Sequence, residues 1–246
     1  MSSDCLSTFA QYFTILSADN PDLLRQTMAL RYQVYCVEHG FDDTEKYPDG
    51  LESDQYDRHS THSGLWHEPS HKLAAAVRLI LADPENPDQP FPMEKECVIE
   101  PGYRTLIESY PRHEIAEISR FAVARQFRRR AKEAETVHGI VEQIEMDRQL
   151  EEERRVVPQI TLGLFQTIVA MSVENGIRLG LAVMEPQLIR LLGGFGIVFT
   201  PVGPMVDYHG RRIPCIAKAD EFMNLIKGRN PDVWDFITVH GQNVPD

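Results

Sequence analysis

The 246-residue chain has little of several things that would announce a function. Its four cysteines, Cys5, Cys36, Cys97 and Cys215, are far apart and contain no C-x-x-C pair. Neither a disulfide framework nor a cysteine zinc site is expected from them, and reduced thiols in the cytoplasm are. No apolar run approaches the ~18 residues of a membrane span. The first residues, "MSSDCLSTFAQYF", lack a basic start followed by an apolar core, so no secretory signal is read there. Glycine never falls into G-x-G-x-x-G or G-x-x-x-x-G-K-[ST], which leaves nucleotide binding by either loop unsupported. Positive charge is also scarce overall, with 25 Lys+Arg against 37 Asp+Glu and a net charge of −12. That balance argues against a nucleic-acid binder, which depends on broad phosphate neutralisation.

Against this acidic background, one place collects arginine. "EISRFAVARQFRRR" (117–130) starts as an apolar strand and ends with Arg125, Arg128, Arg129 and Arg130. Guanidinium groups and backbone amides at a strand-to-helix turn can cradle a phosphate. Alternatively these arginines pair with the downstream acidic stretches "EAE" and "LEEE", in exposed pairs worth only ~0–1 kcal/mol.

The length suits one large domain or two small ones, and the pattern reads as one domain over 1–246. "NPDLLRQTMALRYQVYCVEHG" has a cap, an apolar stripe and a terminal glycine, and predicts a helix over 20–40. A polar loop follows. Strands are expected at "GLWHE" and "KLAAAVRLIL", then a proline-rich loop "ADPENPDQPFP", a short helix at "TLIESY" and a central strand at "EIAEISRFAV". Residues 128–157 form a charged excursion with too few apolar side chains to anchor, expected to be mobile. "ITLGLFQTIVAMSV" is apolar around most of its circumference and predicts a buried helix that stops at Asn175-Gly176. A strand "LGLAVM", a helix "PQLIRLLGG", two strands around "DYHGRR" and an amphipathic segment "DEFMNLIKG" close the order. This is α+β, or mixed α/β, with helices on both faces of a sheet.

Several polar residues stand out. Glu52, Asp54 and Asp57 in "GLESDQYD" place three carboxylates on a loop, which either is a solvated turn or holds the cationic end of a substrate. The spacing misses the Ca²⁺-loop pattern. His59, His62, His67 and His71 match no zinc signature, and His62, Trp66 and His71 are expected at the surface or edge of a hairpin. No metal is expected at either cluster. Arg78, inside "AAAVRLIL", must be paired, solvated at a strand end or facing a cleft. Glu117 and Arg120, three apart on one strand, point to opposite faces. Both line one pocket only if a bulge intervenes.

Taken in order, Arg31-x3-Tyr35-x5-Phe41, "ESDQYD", "VRLI" and "EISRFAV" resemble the motifs of the acyl-homoserine-lactone (autoinducer) synthases, which belong to the wider GNAT-like acyltransferase fold. The later stretch "LAVMEPQLIRLLGGFGIVFTPVGPMVDYHGRRIPCIA" looks closer to a branch of that group, the N-acyl amino acid synthases and the acyltransferases associated with PEP-CTERM/exosortase systems. The resemblance covers roughly residues 20 to 220 and implies a splayed central mixed sheet.

It also implies an amide-forming N-acyltransferase, in which a primary amine attacks an acyl thioester. Arg31, Tyr35, Phe41, Asp54, Asp57, Arg78, Glu117 and Arg120 occupy the family's active-site positions. Glu117 and Arg120 are the implied catalytic pair. A phosphopantetheine arm would run past Phe121, Ala122 and Val123, with its phosphate near Arg125, Arg128, Arg129 and Arg130. Tyr35 and Phe41 stand where the family has Phe and Trp, which favours an amino acid over S-adenosylmethionine as acceptor. "RRRAKE" lacks the glycines of the GNAT phosphate turn, and bulky side chains hinder close backbone approach to a pyrophosphate. An acyl carrier protein is therefore expected as donor in preference to acyl-CoA, with no permanently bound cofactor. Autoinducer synthesis from S-adenosylmethionine and a non-catalytic acyl or carrier-protein sensor are the alternatives.

Overall fold

The computed structural model describes residues 9–17, 20–128 and 159–244. The charged excursion, Cys5, Arg129 and Arg130 lie outside them. Eight strands are described: β1 (Phe13–Ser17), β2 (Ser60–His67), β3 (Lys72–Ile80), β4 (Ile115–Val123), β5 (Leu179–Met184), β6 (Thr200–Pro201), β7 (Val206–Asp207) and β8 (Arg211–Lys218). They form one sheet in the order β1-β2-β3-β4-β5-β8-β6, with β7 pairing β8 alongside. Neighbours are antiparallel except β4 and β5, which run parallel.

That parallel pair positions the site. β4 and β5 are in register only from Ile115↔Leu179 to Ile118↔Ala182. Beyond Ile118 the two part, β4 continuing against β3 and β5 against β8. The sheet thus splits at its middle, and residues 119–123 have no ladder partner on the side that faces β5.

Helices cover both faces. On one lie α1 (Pro21–Tyr32), α2 (Pro92–Glu96) and α3 (Pro101–Glu108). The Asn20 side chain caps α1 by accepting from the Leu23 amide at 2.8 Å, and Pro21 suits its first turn. The last stretch of the expected helix over 20–40 is a π-helix, Gln33–Glu38, which carries Tyr35. On the other face lie α4 (159–174), α5 (Pro186–Gly194), α6 (Ala219–Arg229) and α7 (Pro231–Ile237). α4 contributes Ile160, Leu162, Leu164, Phe165 and Ile168 to the main core, and Gly176 follows its end at φ +65°. None of the described helices is long and apolar enough to cross a membrane.

Departures from the sequence reading are local. β2 begins at Ser60, four residues before "GLWHE". β1, α2 and α7 were absent from it. His62, expected at the surface or an edge, is 6% exposed. β2 lies between β1 and β3 and so is no edge strand, and the His62 side chain is covered on its own face of the sheet, with Nε2 3.5 Å from Asp57.

Candidate active site

At β4 the pairing slips. Ala76 faces Ala122 and Arg78 faces Ser119, so Val77 is spanned by the two residues Arg120 and Phe121. Arg120 takes φ +51°, a left-handed conformation uncommon outside glycine and asparagine and associated with functional sites. The required bulge is therefore present. It turns Arg120 onto the face of Glu117 and Ser119, while Phe121 and Val123 pack into the core of the opposite face.

Arg120 joins a buried ionic layer. Arg31 Nε donates to Glu52 at 2.5 Å, and its Nη1 donates to Asp57 at 2.7 Å. Arg78 donates to Asp54 at 2.7 and 2.9 Å, to Asp57 at 2.8 Å and to Ser119 Oγ at 2.9 Å. Arg120 donates to Glu52 at 2.9 Å and to Asp54 at 3.1 Å. Three guanidinium groups thus meet three carboxylates. Burial opposes ionisation of Asp57, yet the guanidinium groups of Arg31 and Arg78 hold its carboxyl far below the usual range. The same contest leaves Glu52 and Asp54 lowered. His62 lies behind the layer with Nε2 3.5 Å from Asp57, and burial with the charge of Arg31 pushes its pKa down to about 4. "GLESDQYD" is therefore neither a solvated turn nor an open seat for a cation. Its acids are taken by arginines from α1, β3 and β4.

Glu117 shares that face and is treated differently. It is 2% exposed, and one oxygen accepts from the Met93 amide at 2.8 Å. No guanidinium hydrogen-bonds it among the described residues. Burial raises its pKa to about 7, against the pull of the Met93 amide and Arg78.

The split between β4 and β5 opens a cavity of about 280 Å³ that reaches both faces of the sheet. Its polar wall carries Asp54, Tyr56, Arg78, Glu117, Ser119 and Arg120. Its apolar wall is Ile118, Phe121, Val123, Phe165, Met184, Leu188 and Phe199. Of the residues expected from sequence, Tyr35, Phe41, Asp54, Arg78, Glu117, Arg120, Phe121, Val123 and Arg128 line it. Arg31 and Asp57 stand behind the wall, Ala122 packs on Val34 and Tyr35, and Arg125 is exposed. Arg128 pairs upstream, with Glu38 and with His39 Nε2 at 3.0 Å; the downstream acids "EAE" and "LEEE" lie outside the described residues.

Tyr208 and Arg212 also line the cavity and were not singled out. They sit at the β7–β8 turn, where His209 (φ +51°) and Gly210 (φ +92°) reverse the chain. Burial, then the charge of Glu117, pushes the Tyr208 hydroxyl up to about 12. The only local signal was the "DYHGRR" turn. Cys36, Cys97 and Cys215 are buried, and burial raises the first two to about 11 and the last to about 12. None lines the cavity, so among the described residues the site offers no thiolate nucleophile.

Residues 30–137 match the family model of the acetyltransferase (GNAT) domain. TofI, solved in a ternary complex with an inhibitor and MTA, superposes with a TM-score of 0.56 at 15% identity over 88% of this chain and 96% of that one. FeeM, an N-acyl amino acid synthase from uncultured soil microbes, gives 0.53 at 15% identity over 88% and 96%. BjaI, a CoA-dependent acyl-homoserine lactone synthase solved with SAM and isopentyl-CoA, gives 0.53 at 18% identity over 93% and 99%. No curated protein matches the sequence. Family model and solved structures agree: this chain has the GNAT acyltransferase fold, in the form shared by the acyl-homoserine lactone synthases and an N-acyl amino acid synthase.

Proposed function

We propose that the chain works as a single amide-forming acyltransferase domain, moving a fatty acyl group from a phosphopantetheine thioester to the primary amine of an amino acid. The observation that carries this reading is the two-faced cavity at the β4–β5 split. Its apolar wall suits an acyl chain, and its polar wall holds a carboxylate whose pKa is near neutrality.

The steps follow from the residues. The thioester lies along β4 beyond Ile118, where the strand edge lacks a β5 partner and its N–H groups are available to a carbonyl oxygen. Glu117, directly or through a water, takes a proton from the substrate ammonium, so that the neutral amine attacks the thioester carbon. The C–S bond breaks as the amide forms, and the proton that the nitrogen sheds accompanies the departing thiol. Arg120 and Arg78 are positioning residues here, since the ionic layer fixes the bulge from which Glu117 and Ser119 present their side chains. FeeM is an N-acyl amino acid synthase and BjaI is CoA-dependent, and both bear on the choice of acceptor and donor.

The donor is inferred to be an acyl carrier protein. The one-turn helix Arg125–Arg128 that follows β4 contains no glycine to bring backbone amides onto a pyrophosphate. Buried free thiols fit a reducing compartment such as the cytoplasm.

The test incubates the purified chain with dodecanoyl carrier protein or dodecanoyl-CoA and a pool of amino acids, read by mass spectrometry. N-acyl amino acids from the carrier-protein donor support the reading. An acyl-homoserine lactone formed when S-adenosylmethionine is supplied would replace the amino acid, and no amide with any acceptor would turn the protein into an acyl sensor.

A further inference from the structure

Among the described residues four arginines line the cavity, and three are committed. Arg78 uses all three of its nitrogens on Asp54, Asp57 and Ser119. Arg120 is held between Glu52 and Asp54, and Arg128 by Glu38 and His39. Arg212 is different. Its one ionic contact among the described residues, to Glu185, is 3.5 Å long, and that Glu185 side chain is 53% exposed. Its Nε is buried with no hydrogen-bond partner among the described residues. That is true of Arg128 Nε as well, but the terminal nitrogens of Arg128 are taken by Glu38 and His39, whereas those of Arg212 have only the long contact to Glu185. A guanidinium donor buried without an acceptor is costly, and native proteins rarely keep one unless something else supplies the acceptor.

The group is also held in place. Arg212 stands over the Phe41 ring at 5.6 Å, and Phe41 is in turn stacked on His39 at 5.0 Å and edge-packed on His209 at 5.8 Å. This aromatic shelf steadies the guanidinium at the cavity wall. A fixed, under-satisfied guanidinium suits a planar carboxylate, which it can engage through two parallel hydrogen bonds. In the same cavity, Glu117 accepts a proton from an ammonium. An acceptor with amine and carboxylate on neighbouring atoms satisfies both groups at once.

We infer that Arg212, steadied by Phe41, is the seat of the acceptor's carboxylate and so selects α-amino acids over simple amines. This rests on the acyltransferase reading of the cavity and sharpens its acceptor class. Arg78 and Arg120 are left to the ionic layer.

Binding separates this inference from turnover. Calorimetry compares N-dodecanoylphenylalanine with N-dodecanoylphenethylamine, which differ only by the carboxylate. Wild type should bind the acid about 10- to 100-fold more tightly, the range of one charge-assisted contact. Arg212→Gln should erase that preference while still binding the uncharged compound, which certifies its fold, and Arg212→Lys should retain part of it. Glu185→Gln, which removes the weak competitor, should tighten acid binding by up to about 5-fold. Equal affinity for both compounds in wild type, or a preference that survives Arg212→Gln, overturns the seat. Acylation of simple amines without an acid preference would sink the seat and leave the acyltransferase reading standing. A retained acid preference with no acyl transfer from any donor would do the reverse.

Discussion

Glu52, a loop carboxylate that pairs with Arg120, and Glu117, three residues before Arg120 on β4, meet opposite fates on the same face of the sheet. Glu52 is fully buried and takes hydrogen bonds from Arg31 and Arg120, so it stays ionised despite its burial. Glu117 is almost as buried and receives one backbone amide, so its pKa climbs to about 7. The arginines are near enough to Glu117 to pull on it but have their nitrogens committed elsewhere. Partner count, and not burial, separates a structural carboxylate from a reactive one. The ionic layer is closed and charge-balanced; the wall formed by Glu117, Tyr208 and Arg212 is left unfinished.

The strongest way to break that contrast is to remove one acid from the closed layer. Glu52→Gln leaves Arg31 and Arg120 short of a counter-charge inside the protein. A loss of about 3–5 kcal/mol is expected, the usual consequence of breaking a buried pair from one side. Urea denaturation reads it directly. A loss below about 1 kcal/mol would mean that Asp54 and Asp57 absorb both arginines, and the layer would be less closed than it looks.

Glu117→Gln should do the opposite on both counts. Turnover should fall about 100-fold or more, in line with removal of a general base, with kcat affected and the fold intact. Stability should hold or rise above neutral pH, and the sign follows from linkage. With the folded pKa at about 7, above the ordinary carboxylate value, the native state favours the protonated form. The stability this gives is fully present below the unfolded pKa and is lost as pH rises through about 7. Glutamine keeps the neutral form at every pH, so the decline should vanish. The same carboxyl must be ionised to accept a proton. In wild type kcat/KM should therefore rise with pH through about 7 and level off, and the variant should lack that limb. A rate that is flat between about pH 5.5 and 8.5 would remove Glu117 from the chemistry.

The closed layer was more legible in sequence than the unfinished wall, for a physical reason. Strongly periodic or capped segments carry their own signal, so α1, β3, β4 and the buried helix 159–174 could be read from apolar spacing and from Asn20-Pro21. The motif residues 31, 52, 54, 57, 78 and 120 were singled out too, but not their mutual pairing, because each arginine comes from a different element. β1 is a five-residue strand largely exposed along its length, and "FTILS" has no alternation strong enough to show it. The bulge at Arg120 carries no glycine, the usual mark of a positive φ, so only the geometry of Glu117 and Arg120 hinted at it. Tyr208 and Arg212 lie some ninety residues beyond Glu117 and reach it only because β8 pairs with β5. The burial of His62 was not legible because the ionic layer that covers it brings Arg31, from a distant stretch of the chain, beside Asp57.

The smallest effect sharpens the contrast at the cavity's outer end, where the arginine cluster begins. Arg128 belongs to the closed kind, tied to Glu38 and His39, whereas Arg125 is exposed and lines nothing. If the donor arrives on an acidic carrier protein, Arg125 acts at a distance through charge, not through a fixed contact. Arg125→Glu should then weaken carrier-protein binding a few-fold at low salt, and the gap from wild type should close as ionic strength shortens the Debye length to about 8 Å or less. Activity with acyl-CoA, where any is measured, should change little. Surface plasmon resonance with immobilised carrier protein at two salt concentrations reads the effect. An Arg125→Glu variant that binds as wild type does at low salt would move the docking surface away from the end of β4.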